Sequence, residues 1–250
     1  LEFRRVLFRS ILVATPKLLY EFLEPTPAKP RGGWRGLPLV LAPTQTISQI
    51  CLTTDGIWLG TQLGLIRYQD GRQRLYPIGN RHTPFFVFRF FTDRDNNLWI
   101  GTRQTGLLQL SGKAIVAYDA SDGLPPVLDA YYFNETRDGR MIVSGRPNAR
   151  SSCNETFFIE QDDARENPVV RFRAPAGFCH HTLTQDERKN WWLLRWLPRQ
   201  RIYKAFFIPG PRLDFSAGYD LTAADGWVDG LYTAPYEDHE GTLWFRCQNA

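Results

Sequence analysis

The stretch "DNNLWIGTRQTGLLQL" (residues 95–110) runs a polar turn, a Trp-centred apolar segment, a second Gly-bearing turn and another apolar segment. Upstream, "TDGIWLGTQLGLIRYQ" (54–69) writes the same pattern almost letter for letter. A third clear copy is "EDHEGTLWFRC", centred on Trp244. Two weaker copies lie between them: "TRDGRMIVSG", with Ile142 at the Trp position, and "DERKNWWLLRW", with Trp192. A sixth opens the chain, where "ILVATPKLLYEF" puts Leu12 in register with Trp58. Successive spacings are 46, 41, 43, 50 and 52 residues. That period is too long for a leucine-rich or ankyrin unit and suits a blade of four strands.

One unit read in full supports this. "VFRFFTD" (87–93), "LWIGT", "LLQLS" and "AIVAYD" (114–119) are short β-rich runs separated by Asn, Asp and Gly turns, the mark of consecutive antiparallel hairpins. No helical period persists over eleven or more residues, so a helical solenoid is disfavoured. The expected fold is all-β, a β-propeller of four-stranded antiparallel blades spanning residues 11–250. The chain enters at the second strand of one unit (Ile11) and leaves after the second strand of another (Phe245), so about five blades and an incomplete ring are expected. An open ring bares sheet edges and blade faces, and should aggregate when expressed alone.

The recurring residues have structural reasons. Both faces of a blade's middle strands are covered by neighbouring blades, so Trp58, Trp99, Trp192 and Trp244 are expected to fill the gaps. Truncating such an indole costs about 3–5 kcal/mol. Gly60 and Gly101, two positions later on the same face, are expected where a missing Cβ admits another backbone. The "DG" and "NN" pairs supply the positive φ of tight hairpins.

Composition bounds the rest. Of 250 residues 43% are hydrophobic, the formal charge is +4, and Arg outnumbers Lys without forming a basic block. A nucleic-acid partner is unsupported. Four scattered cysteines, Cys51, Cys153, Cys179 and Cys247, permit disulfides without implying them, and no zinc spacing occurs. The first ten residues, "LEFRRVLFRS", resemble a translated sequencing adapter rather than a signal peptide, and are set apart as a non-native tail. Discounting their three Arg and one Glu leaves a charge of +2. The chain has no initiating Met, and reads as a fragment.

"DGLP" (122–125), followed by a strand, "TDRDNNLWIGT" and "GLLQL", resembles the two-component regulator propeller repeat, as does "TAADGWVDGLYTAPYEDHEGTLWF" (222–245). The likeness is strong around Trp58, Trp99 and Trp244 and weak over residues 127–215. It implies the extracytoplasmic, periplasmic portion of an inner-membrane sensor. Such proteins end in a histidine kinase, a hybrid kinase–regulator or a diguanylate cyclase, which leaves this part non-enzymatic. The implied partner is a small-molecule or oligosaccharide ligand, with the membrane reached only through a segment outside this chain, and with a homodimer in the full-length protein. No cofactor is implied. A propeller enzyme, lyase or glycosidase-like, and a protein-interaction scaffold are the alternatives.

Catalytic motifs are thin: GxSxG, HExxH and phosphate-cradling Gly-rich loops are all missing from the sequence. His180 and His181 are adjacent, so on a strand they face opposite ways and cannot share a metal. One is expected toward solvent and the other into a blade contact. Asp186, Glu187 and the "EDHE" acids (237–240) read as solvated turn residues. Ligand contacts are expected on the stretches that depart from the tight repeat: "GRPNARSSCNE" (145–155), "WLPRQR" (196–201) and "PGPRLDFSAGYD" (209–220). These combine Arg with aromatics, the chemistry that stacks on sugar rings and holds hydroxyls or carboxylates. Arg146, Arg150, Trp196 and Arg199 are the candidates.

Overall fold

The computed structural model describes residues 11–78, 86–103, 106–111, 114–148, 150–151, 153–160, 168–233, 235–238 and 240–247; the adapter-like tail lies outside them. Strands β1 (Leu12–Ala14), β2 (Leu19–Leu23) and β3 (Gly33–Leu37) form a three-stranded sheet. Four four-stranded sheets follow, each with its strands in chain order. The first has β4 (Ile47–Thr53), β5 (Gly56–Thr61), β6 (Gly64–Gln69) and β7 (Arg72–Tyr76). The second has β8 (Val87–Thr92), β9 (Leu98–Thr102), β10 (Leu107–Ser111) and β11 (Ala114–Tyr118). The third has β12 (Asp129–Glu135), β13 (Met141–Arg146), β14 (Glu155–Ile159) and β15 (Val169–Phe172). The fourth has β16 (His180–Gln185), β17 (Trp191–Leu197), β18 (Ile202–Ile208) and β19 (Tyr219–Asp220). A two-stranded sheet of β20 (Tyr236–Glu237) and β21 (Leu243–Trp244) closes the series. Every pairing given by register is antiparallel, and among the described residues there is no α-helix, only three short 3-10 turns. The fold is all-β, built from propeller-type blades.

By compactness the chain divides into residues 1–100 and 101–250, a boundary that falls inside β9. In the first unit Leu19, Ile47, Ile57, Leu59, Ile66 and Tyr68 form one buried cluster. In the second, Ile142 and Phe158 of one sheet pack against Leu183, Trp191, Leu193, Phe206 and Ile208 of the next. Sheet faces therefore bury both sides of the middle strands: all of β9 and most of β5 and β13 are buried.

Trp58, Trp99, Ile142, Trp192 and Trp244 lie on the second strand of their sheets, and Leu12 on the first strand of the three-stranded sheet. Cys51 opposes Trp58, Asn134 opposes Ile142, Thr184 opposes Trp192 and Tyr236 opposes Trp244, each on the second strand of its repeat. Their burial is not uniform. Trp58 and Trp99 are 2% and 0% exposed, but Trp192 is only half-buried and Trp244 is 60% exposed. In the fifth copy the fully buried indole is the neighbouring Trp191, set against Phe158 and donating Nε1 to the Pro211 carbonyl. Trp244 sits in a sheet to which the described residues add no third strand, and most of it stays exposed.

The turn before each of these strands is also repeated. Asp93, Thr136, Asp186 and Asp238 each donate backbone N–H to the carbonyl four residues on, at 2.8–3.1 Å. The residue before that carbonyl takes positive φ: Asn96 at 64°, Gly139 at 90°, Lys189 at 63° and Gly241 at 78°. The first acid is not solvated, contrary to the expectation for Asp186. Asp93 is 5% and Asp186 8% exposed, because the carboxylate folds back over its own turn and accepts from the indole six residues later. Glu187 alone of that pair is exposed.

Candidate functional site

At one end of the sheets β12–β15 and β16–β19, two strands carry an extra residue. Pairing of β12 with β13 passes from Ala130–Gly145 to Tyr132–Ser144, leaving Tyr131 over. Pairing of β16 with β17 passes from His180–Arg195 to Thr182–Leu194, leaving His181 over. Such a bulge breaks the alternation and re-aims one side chain. The same step occurs at Ser48 on β4. There the hydroxyl is spent on the carbonyls of Gly60 and Val87, at 3.1 Å each.

In the second unit the two bulged residues open a connected polar-aromatic cluster. Arg146, the last residue of β13, donates Nε to the Tyr131 hydroxyl at 3.1 Å. That hydroxyl donates to Asn154 Oδ1 at 2.6 Å, and Asn154 Nδ2 donates to the His181 carbonyl at 2.7 Å. His181 Nδ1 is 3.0 Å from the hydroxyl of Tyr203, near the start of β18. Trp196, near the end of β17, packs on Tyr203 with ring centroids 4.7 Å apart and lies 6.2 Å from the His181 ring. A disulfide between Cys153 and Cys179 ties together the segments that carry Asn154 and His181.

Burial sets the electrostatics. Desolvation raises the Tyr131 hydroxyl above the usual phenol range, against the opposing pull of Arg146. The Tyr203 hydroxyl is pushed up to about 12 by burial and then by the neighbouring Tyr132 and Tyr131. Both phenols stay neutral at physiological pH and offer hydrogen bonds rather than a base. Arg146 is held above its ordinary value by the Tyr131 hydroxyl and remains charged. The arrangement therefore offers a cation and aromatic rings, its two neutral hydroxyls being hydrogen-bonded within the cluster.

Of the sequence candidates, Arg146 and Trp196 enter this one cluster. Arg150 and Arg199 stand exposed on the β13–β14 and β17–β18 connections at the same end. The third divergent stretch, 209–220, joins β18 to β19 at the opposite end and contributes nothing here. The two histidines do diverge, but neither is free in solvent. His180 is 5% exposed with Nε2 2.9 Å from Thr156 Oγ1, whereas His181 is half-buried against Tyr203. In "EDHE", Asp238 accepts from its own turn and from Trp244, and Glu237 pairs with Arg137. No cluster of three potential metal ligands occurs among the described residues.

Tyr131, Asn154, His181 and Tyr203 are absent from the sequence-derived set. Tyr131 and His181 each stand eleven residues before the Trp position of their repeat, so aligning first strands as well as second strands would have found them. Elsewhere, an open groove of about 570 Å³ runs past Glu155, Arg171, Phe172, Arg173 and His180. One of about 590 Å³ in the first unit is lined mostly by hairpin turns and strand ends.

Residues 85–104 match the family model described as two component regulator propeller. Among solved structures the chain is similar to YCF48 bound to D1 peptide, at 9% identity and a TM-score of 0.55, covering 88% of this chain and 66% of that one. It is similar to PorZ, a surface component of the type-IX secretion system of Porphyromonas gingivalis, at 13% identity and a TM-score of 0.58, covering 95% and 39%. The extracellular domain of the hybrid two component system BT4673 from B. thetaiotaomicron also matches, at 14% identity and a TM-score of 0.41, covering 95% and 37%. The chain spans just under two thirds of the first of these and about two fifths of the other two. No curated protein matches the chain.

Proposed function

Because the chain carries a two component regulator propeller repeat, we propose that it is the ligand-binding part of an extracytoplasmic sensor. Its binding end is the cluster of Arg146, Tyr131, His181, Trp196 and Tyr203, and its ligand is a small molecule or oligosaccharide. The whole protein is then a membrane-bound two-component or cyclic-dinucleotide signalling protein, its output domain a histidine kinase or diguanylate cyclase. The observation that carries the reading is convergence: side chains from two successive sheets meet at one loop end, where propellers form binding sites. The Cys153–Cys179 disulfide supports an oxidising compartment. Among the described residues no helix is long and apolar enough to cross a membrane, so the membrane is reached through a segment outside them.

Titration of oligosaccharides against the protein, repeated with Trp196→Ala, tests the site. Loss of binding supports it, and unchanged affinity removes Trp196 from it. Sequencing the coding region downstream tests the signalling context. A transmembrane span followed by a kinase or cyclase domain supports the sensor, and a stop codon soon after Ala250 counts against it.

A further inference from the structure

The connections that meet at the cluster are strongly biased in charge. Segments 146–151, 173–179 and 197–201 carry Arg146, Arg150, Arg173, Arg199 and Arg201, and not one Asp or Glu. Acids on the flanking connections are already committed. Asp119 accepts from Ser121, Asp122 from the Asp119 backbone, Asp225 from Thr222, and Asp229 faces Lys204 at 3.9 Å. Glu155 is paired with Arg171 and Asp220 with Arg195.

Among the described residues Arg146 forms no ion pair with a carboxylate. Asp129 stands opposite it in the β12–β13 register and attracts it through space, yet no ion pair joins them, and Asp129 Oδ1 has no hydrogen-bond partner among the described residues. With Nε given to Tyr131, the two terminal guanidinium nitrogens of this exposed side chain have no partner among the described residues. A planar guanidinium with both ends open is suited to bidentate recognition of a carboxylate. In the same cluster, the half-buried Trp196 indole N–H also has no acceptor among the described residues, and its ring packs on that of Tyr203 at 47°, an angled aromatic wall.

We propose that this end binds a carboxylate-bearing sugar, with Arg146 as the direct partner of the carboxylate and the Trp196–Tyr203 wall packed against the ring. The inference rests on the reading of this end as the ligand face. The remaining arginines surround the site without touching the ligand, and speed its approach at low salt.

The test uses matched probes: galacturonate, glucuronate and mannuronate oligomers, each beside its carboxyl-reduced neutral counterpart, titrated against the protein and Arg146→Gln. The expected result is at least tenfold tighter binding of one acidic oligomer than of its neutral form. In Arg146→Gln that preference disappears while the neutral Kd is unchanged, and raising the ionic strength weakens only the acidic ligand. Equal affinity for acidic and neutral forms, or a preference that survives Arg146→Gln, overturns the carboxylate inference and leaves the ligand face standing. Binding of no oligomer of either kind overturns both. Should Arg146→Gln fail to fold by circular dichroism, Arg146→Lys, which keeps the charge but not the two-pronged donor, takes its place, and an undiminished preference for the acidic oligomer overturns the proposal.

Discussion

The indole N–H of Trp192 reaches Asp186 Oδ2 at 2.9 Å, six residues back across a turn that the same carboxylate organises through the backbone and side chain of Asn190. Trp99 and Asp93 repeat the bond at 2.7 Å, as do Trp244 and Asp238. In the shorter "TDGIW" turn Asp55 takes the role from three residues away, at 3.1 Å. One acid thus holds the hairpin turn and pins the indole that follows it. Removing one partner leaves a buried group unsatisfied, at a cost of about 1–3 kcal/mol. Trp99→Phe and Asp93→Ala should each destabilise by at least that much. The double variant should lose less than the sum, with a coupling of about 0.5–3 kcal/mol in a urea-unfolding cycle. Strict additivity would show that the bond contributes nothing.

The divergent fourth copy follows the same logic in reverse. Where Ile142 replaces the indole, Thr136 replaces the acid, and its hydroxyl bonds instead to the Arg140 carbonyl and to Asp138. Thr136 is fully buried, so Thr136→Asp alone would bury a carboxylate with no indole to meet it. It should cost several kcal/mol, and adding Ile142→Trp should recover part of that only if the neighbouring sheet yields room. A thermal melt in which Thr136→Asp equals the unsubstituted protein would break the rule.

What the sequence made legible follows from what recurs in it. Trp58, Trp99, Trp192 and Trp244 mark second strands correctly because turn chemistry and the two-residue strand period fix their position whatever covers them. Burial is a property of the neighbour, which is why Trp244 could occupy the right register and still be bare. An acid in a turn is ordinarily wet, but Asp186 is held dry by its hydrogen bonds from Asn190 and Trp192. The proposed site was half legible. Arg146 and Trp196 lie on irregular stretches that stand out, but Tyr131 and His181 depend on bulges, which alternation of polar and apolar residues does not reveal. Pairing of Cys153 with Cys179, 26 residues apart, could not be chosen from four scattered cysteines.

That disulfide makes a prediction of its own. Closing a loop of this length stabilises a fold by about 3–4 kcal/mol in the chain-entropy picture. The bonded cysteines are followed directly by Asn154 and His180. Cys153→Ser with Cys179→Ser should lower the unfolding midpoint and weaken ligand binding together. Reductant should shift the unsubstituted protein the same way and leave the double variant unmoved. Equal sensitivity of both to reductant would assign the effect elsewhere, Cys51 and Cys247 being the remaining thiols.

Glycines at the sheet contacts should differ in tolerance. A Cβ on Gly101 would collide with the Ala130 carbonyl oxygen and come within 2.7 Å of the Phe133 ring, whereas one on Gly60 would come within 2.5 Å of the Val87 Cβ. Neither a carbonyl oxygen nor a Cβ is moved by side-chain rotation, so both need the strand to shift. Overpacking costs typically about 1–3 kcal/mol, so both Gly101→Ala and Gly60→Ala should destabilise toward the top of that range, with Gly101→Ala, the closer approach, the worse. Calorimetric midpoints in the opposite order would refute the assignment of Gly101 to a backbone approach.

His180 gives the fold a pH dependence with a definite sign. Its ring is buried edge-on to Phe172, with Thr156 at 2.9 Å. Burial first, and the adjacent His181 second, push its pKa down to about 4. The unfolded chain, with a histidine near 6.5, takes up a proton that the folded chain refuses. Stability from the neutral ring is therefore complete above about pH 6.5, falls as the pH drops, and levels off near 4. The total loss is about 3 kcal/mol. His180→Gln removes the titrating ring while leaving a side chain able to bond Thr156. The variant should start less stable at pH 7.5 but lose less on going to pH 4.5, measured as urea midpoints at both. Carboxylate protonation affects both proteins alike and cancels in the comparison. Parallel pH profiles for the two would show that His180 is already charged in the fold, and the buried neutral ring would have to be abandoned.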